Sequence, residues 1–177
     1  MFWQYGYEPA SIAALTDAMG IRPASLYAAF GDKRRLFSEA VARYQETYGA
    51  FTGVALAEER TARGAIERML RAIAVNYTDP GHPPGCLIIS GAINHGPDAA
   101  EVENELREMR LQARAAVAER LRRGVAEREL PQGTDTDALA EFIAAVARGM
   151  SRSAQDGATA EDLRNVADLA MKAWPRP

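Results

Sequence analysis

The stretch Ser11 to Phe30, SIAALTDAMGIRPASLYAAF, constrains the fold of this chain more than any other. Ile12, Leu15 and Met19 recur at spacings of three and four, and Leu26 and Phe30 repeat the spacing of four, so each set lies on one helical face. Gly20 stands where the first helix must stop, because glycine enters a left-handed conformation without steric cost. Pro23 follows, and its locked φ and missing N–H suit the first turn of a new helix. Ser11 is a good N-cap for the first helix, whereas Arg22 is a poor one for the second. The pattern predicts helix, tight turn, helix, with the second helix over about 23–29. Either an ordinary helical hairpin or the arrangement that lets a second helix enter a DNA major groove would satisfy it.

The next residues separate the two. Leu15-Thr16, Gly20-Ile21, Leu26-Tyr27, Phe30, Lys33 and Leu36 stand at spacings that resemble the N-terminal domain of TetR-family (tetracycline-repressor-like) regulators. That family's pattern is an apolar-Ala pair, Gly, an apolar residue, Leu-Tyr, Phe, Lys and Leu. The resemblance implies an all-α fold, with a helix-turn-helix DNA-binding domain over 1–48 and an effector-binding and dimerisation helical domain over 49–177. It places Ser25, Tyr27 and Lys33 at positions that meet DNA, two hydroxyls and one ammonium suited to phosphate oxygens. Pro23, Ala24 and Ala28 offer no base-edge hydrogen bonds and reach at most thymine methyls, which leaves base reading to Arg22, Ser25 and Thr16. Ser11 is a further phosphate candidate, although capping already accounts for it.

In the resembled family a helix of about four turns precedes this unit. Here residues 2–7, Phe-Trp-Gln-Tyr-Gly-Tyr, read as the last turn of a helix and a stop. The first helix is therefore expected to be truncated, whether through a late start site, a shortened chain or true loss. Its absence would leave Ile12, Leu15, Leu36 and Val41 facing water, each forgoing ~1.5–3 kcal/mol of burial.

Composition bounds what the chain can be. At 177 residues, 47% apolar and 25% charged, it has the makeup of a globular protein of one or two small domains. No apolar run approaches the ~20 residues of a membrane span, and Met1-Phe-Trp-Gln-Tyr lacks the basic region of a signal peptide. A single cysteine excludes an internal disulfide framework and suits a cytoplasmic location. The net charge of −3 is unevenly spread. Residues 20–44 hold Arg22, Lys33, Arg34, Arg35 and Arg43 against Asp32 and Glu39, and local positive charge is what phosphate contact needs.

Further helices follow from periodicity. One starts near Asp32, carries Leu36, Phe37, Ala40, Val41, Tyr44 and Tyr48, and ends at Gly49 or Gly53. A second runs from Thr61 with Ile66, Met69, Leu70, Ile73 and Tyr77 on one face, closed by a Pro/Gly-rich loop at 79–85. Residues 85–95 are apolar nearly all round, as a buried strand or a central helix would be; in so helical a chain, helix is the expectation. A long helix runs from Pro97 to near Pro131, with Val102, Leu106, Met109, Ala113, Val117, Leu121 and Val125 in register. The last pair spans about 135–154 and 159–174, the second opening on Thr159-Ala-Glu-Asp162, close to a capping box. Dense alanine and glycine let these two helices approach closely, and the resemblance implies that they form a homodimer interface.

No Gly-rich phosphate loop, nucleophile elbow or paired-carboxylate motif occurs, so the chain does not read as an enzyme, and no catalytic residue or cofactor is assigned. Cys86 opens the buried 85–95 segment, where a helix N-terminus would favour a thiolate sensor; flanked by Leu87, Ile88 and Ile89, it reads more simply as core filler. His82, Cys86 and His95 fit no recurrent zinc spacing, so no metal is expected. The resemblance also implies a cavity for a small apolar effector. Candidates for its lining are Met69, Ile73, Tyr77, Cys86, Ile89, Ile93, Met109 and Phe142, with Phe51 and Met150 beside them and Tyr77, Asn94 or His95 as polar anchors. Two functions remain open at this point. One is a repressor released from a palindromic double-stranded operator by its effector. The other is a small-molecule-binding helical dimer that has lost DNA binding with its first helix.

Overall fold

A computed structural model describes residues 1–93 and 95–175. The helices are α1 (Phe2–Tyr5), α2 (Ile12–Met19), α3 (Pro23–Phe30), α4 (Lys33–Thr47), α5 (Phe51–Glu58), α6 (Ala62–Asn76), α7 (Leu87–Ser90), α8 (Ala100–Ala126), α9 (Thr136–Gln155) and α10 (Ala160–Lys172), with a 3-10 turn at Pro97–Ala99 before α8. The fold is all-α, with no strand among the described residues. Packing divides the chain into two compact units: Met1–Gly49 with Cys86–Met109, and Ala50–Gly85 with the chain from Arg110 onward.

The first unit is organised by caps and by aromatic rings. The Ser11 hydroxyl accepts from the Ala14 N–H at 3.1 Å and starts α2. Gly20, at φ 66°, ends it: the Gly20 N–H donates to the Asp17 carbonyl and the Ile21 N–H to the Thr16 carbonyl, both at 3.0 Å. That pair of bonds is a Schellman closure, and only glycine adopts its left-handed residue without penalty. Pro23 then occupies the first turn of α3, and Leu26 is its one fully buried side chain. Asp32 caps α4 by accepting from the Arg35 N–H at 2.8 Å, and α4 buries Leu36, Phe37, Val41 and Tyr44.

The expected exposure of Ile12, Leu15, Leu36 and Val41 does not occur: Leu15, Leu36 and Val41 are buried and Ile12 is half-buried. The residues at the start of the chain contribute large rings to the same unit. Phe2 and Tyr7 meet Phe37 edge-on at centroid distances of 5.0 and 5.1 Å, and Trp3 meets Tyr44 and Tyr48 at 4.8 and 5.2 Å. Each such ring pair contributes about 0.5–1.5 kcal/mol beyond simple burial. α7 packs on both α1 and α4.

Two segments differ from their periodicity. Of the segment expected to be a buried helix, only the single turn Leu87–Ser90 is helical, and Ile93 is 61% exposed. The Gly91 carbonyl accepts from the Tyr7 N–H at 2.7 Å, so it is not extending α7. The α4 helix stops at Thr47 and a separate α5 follows. Gly53, read as a stop, sits inside α5 with open space around it, where glycine costs only about 1 kcal/mol.

In the second unit α6 is central, packing on α5, α9 and α10. Its buried stripe, Ala65, Ile66, Met69, Leu70, Ile73 and Ala74, matches the expected face. Thr61, Asp135 and Thr159 cap α6, α9 and α10 through side-chain oxygens, and Thr159 with Asp162 completes a capping box. Gly85, at φ 79°, lets the loop after α6 press against α9: a Cβ there would lie 2.8 Å from the Ser151 carbonyl oxygen. The Arg120 guanidinium donates to the Glu59 and Arg60 carbonyls, and so ties α8 to the α5–α6 turn.

Three outcomes follow. Phe37→Ala removes the ring that Phe2 and Tyr7 embrace and lowers unfolding free energy by about 3–5 kcal/mol in urea titration. Gly85→Ala costs at least about 1–2 kcal/mol, since both the backbone sign and the Ser151 contact oppose it. The Thr159 hydroxyl and N–H hold the Asp162 carboxyl below its ordinary range. That contribution is complete above the unfolded carboxylate pKa and fades as pH falls through the lowered folded value. Acid titration of Thr159→Ala, followed by circular dichroism, therefore shows a smaller loss of stability over that acid range than the parent.

Candidate nucleic-acid interface

The candidate recognition element is α3, and its composition explains its exposure. Of its eight residues only Leu26 is buried; Pro23, Ala24, Ser25, Tyr27, Ala28 and Ala29 are exposed, Tyr27 at 49%. A helix that leaves most of its surface bare gains little from its own unit. Its small outward side chains allow close approach of the backbone to a partner. α2 and α4 both pack against the buried side of α3, which fixes its direction. Met19, at the end of α2, adds a second exposed apolar side chain beside the turn.

The polar candidates differ in how free they are. Ser11 is exposed, with its oxygen engaged as the α2 cap. Arg22 is exposed at the start of α3 and makes no side-chain capping bond, consistent with its poor capping chemistry. Ser25 and Tyr27 are exposed on α3. Lys33, at the start of α4, is half-buried: its ammonium donates to the Glu8 carbonyl at 3.2 Å and lies 4.4 Å from the centroid of the Tyr7 ring. Burial lowers the Lys33 pKa, with the Glu8 carboxylate opposing that shift. Arg34 is paired with Glu101 on α8. Arg35 is exposed and lies against Gly31, whose φ of 80° turns the chain between α3 and α4. Spacing alone could not separate these three neighbouring cations, because their partners Glu8 and Glu101 are distant in sequence.

The residues named for an effector fall into two groups. Met69, Ile73 and Tyr77 are buried on one face of α6, and the Tyr77 ring meets Phe51 of α5 edge-on at 6.3 Å. Phe142 is on α9 of the same unit, 41% exposed, and Met150 is buried there. Cys86, Ile89, Ile93 and Met109 belong to the first unit. There the Tyr44 hydroxyl donates to the Cys86 sulfur at 3.2 Å, and burial, reinforced by Cys86, raises the Tyr44 pKa. His95 Nδ1 lies 3.1 Å from the Ala92 carbonyl oxygen. Asn94 lies outside the described residues. A cleft of about 280 Å³ between α6 and α10 holds none of these; Arg63, Glu67, Arg71, Asp168, Met171, Lys172 and Trp174 line it. Its lining mixes five charged residues with Met171 and Trp174 and follows no hydrophobic period, so the sequence did not announce it.

Comparison with known proteins places this geometry. The family described as "Bacterial regulatory proteins, tetR family" matches residues 1–40, and "Tetracyclin repressor-like, C-terminal domain" matches residues 62–170. The HTH-type transcriptional repressor ComR of Escherichia coli is 33% identical over 176 residues, 99% of this chain and 84% of ComR. The HTH-type transcriptional repressor BdcR of the same organism is 31% identical over 98% of this chain and 83% of its own length. Among solved structures, a cysteine mutant of the TetR family regulator CifR, in complex with 26-base-pair double-strand operator DNA, superposes with a TM-score of 0.95 at 41% identity, covering 98% of this chain and 91% of that one. A helix-turn-helix with a bare second helix and family matches at both ends of the chain lead to one assignment: the chain belongs to the TetR family of bacterial regulatory proteins.

Proposed function

We propose that the chain is a homodimeric transcriptional repressor that inserts α3 into the major groove of a palindromic double-stranded operator and leaves it when a small apolar effector binds. The observation that carries this reading is α3 itself, with one buried residue in eight and its hydroxyls, Ser25 and Tyr27, on the bare side. CifR, to which the chain is 41% identical, is bound to operator DNA in its solved complex, and ComR and BdcR are named as repressors. In this reading Ser11, Ser25, Tyr27 and Lys33 meet phosphates and Arg22 reads a base edge. Work on chromosomal DNA puts the protein in the cytoplasm. The division of labour falls near residue 48, DNA reading before it and effector binding with dimerisation after it.

The dimer is assigned to α9 and α10. Phe142, Val166 and Leu169 are exposed apolar side chains there, Leu169 at 62%, and Gly149 has open space over its Cα. Two such helices from each protomer make a four-helix contact, and two recognition helices can then meet half-sites one helical turn, or a multiple of it, apart. Met69, Ile73 and Tyr77 are the proposed core of the effector pocket. An effector acts by population shift: it binds better to the conformation whose recognition helices no longer match successive grooves, and equal affinity for both conformations would change nothing. The rival reading, a dimer that lost DNA binding with its first helix, has lost its premise. The N-terminal family match covers residues 1–40, and of the residues expected to be stripped of cover Leu15, Leu36 and Val41 are buried and Ile12 is half-buried.

Fluorescence anisotropy with duplex DNA flanking the gene tests the assignment. The unmodified protein binds with strongly salt-dependent affinity, and Tyr27→Ala weakens binding about tenfold or more, the worth of a hydrogen bond to a charged group, at unchanged melting temperature. Binding that ignores salt, or that Tyr27→Ala leaves untouched, refutes it. Leu169→Glu converts the dimer to monomer in sedimentation and weakens operator binding with it.

A further inference from the structure

Three consecutive cations open α4, yet they stand in three different states. Lys33 is tied to the Glu8 carbonyl and the Tyr7 ring, Arg34 is tied to Glu101, and Arg35 is exposed. The Arg34–Glu101 pair is not isolated. One turn further along both helices, the Ser38 hydroxyl donates to the Glu105 carboxylate at 2.9 Å in a partly buried position. The two links have the same spacing on each helix, 34 to 38 on α4 and 101 to 105 on α8, so together they set the rotation of α4 against the first turns of α8. Side-chain exposures of 53% for Arg34 and 70% for Glu101 leave the ion pair well hydrated. Solvent screens so exposed a pair, so Glu101 stabilises the fold little. What it does do is hold a guanidinium at the edge of the element that presents α3.

The geometry points to Glu101 as a positioning residue that withholds Arg34 from the DNA backbone, with the Ser38–Glu105 bond keeping the carboxylate in reach. The protein then engages the duplex with fewer phosphate contacts than its basic run suggests. The ion pair becomes a means by which any shift of the first turns of α8 changes the number of available cations. This inference rests on DNA binding by α3 and concerns a residue that does not itself touch DNA.

The test counts phosphate contacts through the salt dependence of affinity, using the full-length protein and a labelled duplex from the DNA flanking its gene. Each contact contributes about −0.9 to the slope of log K against log salt. Glu101→Gln is expected to steepen that slope by about 0.9 and to tighten binding up to about eightfold near 0.1 M salt. Asp98→Asn, which removes an exposed carboxylate just before α8, controls for overall charge and leaves the slope unchanged. Arg34→Gln alone leaves the slope at the parent value, and in Arg34→Gln/Glu101→Gln the gain is abolished. Thermal melts of all four variants confirm folding. An unchanged slope in Glu101→Gln overturns the proposal, as does an equal change in Asp98→Asn. A shallower slope in Arg34→Gln alone also overturns it, since Arg34 would then already be on the duplex. Absence of salt-dependent binding by the parent removes the DNA-binding reading itself, and this inference with it.

Discussion

The embrace of Phe37 by Phe2 and Tyr7 is the contact on which the reading head depends. Phe37 is fully buried one turn into α4, and α4 in turn lies against α3, whose own anchor is the single side chain Leu26. A helix with one buried residue cannot hold its own direction. Its orientation is borrowed from neighbours, and those neighbours are fixed by rings at the start of the chain. Trp3 on Tyr44 and Tyr48 repeats the arrangement two turns further along α4. Residues 2–7 bring three large rings, Phe2, Trp3 and Tyr7, to bear on Phe37, Tyr44 and Tyr48.

Function follows from what that scaffold leaves bare. The outside of α3 carries mostly small side chains that the scaffold leaves unpacked. The cations beside it are graded by their protein partners, so the basic run Lys33-Arg34-Arg35 is three different chemical environments within one helical turn. Local electrostatics of this kind are invisible to a net charge of −3 and only partly visible to a regional count.

Much of the fold could be read before any coordinates, and for identifiable reasons. Gly20, Pro23, Ser11 and Thr159 act through their own backbone neighbours, so turns and caps are written locally. The α6 stripe and the α9 and α10 spans follow from strong periodicity. What failed depended on distant partners. Leu15, Leu36 and Val41 look uncovered when the first helix is short, yet all three are buried, because burial depends on neighbours that local periodicity does not name. α7 was read too long because the carbonyl of Gly91 is claimed by Tyr7, 84 positions away in the chain. α5 was missed because Gly53 looks like a terminator and is tolerated in mid-helix. At the interface, residue types were legible but occupancy was not: nothing local says that Lys33 meets Tyr7 or that Arg34 meets Glu101.

The hydrogen bond from Tyr44 to the Cys86 sulfur has a practical corollary. Thiol reagents in solution meet that sulfur only after α4 and α7 separate, since it is buried and already engaged. With one cysteine in the whole chain, the rate at which a labelling reagent enters is a clean clock for that separation. The protein thus carries its own stopwatch at the joint between α4 and α7.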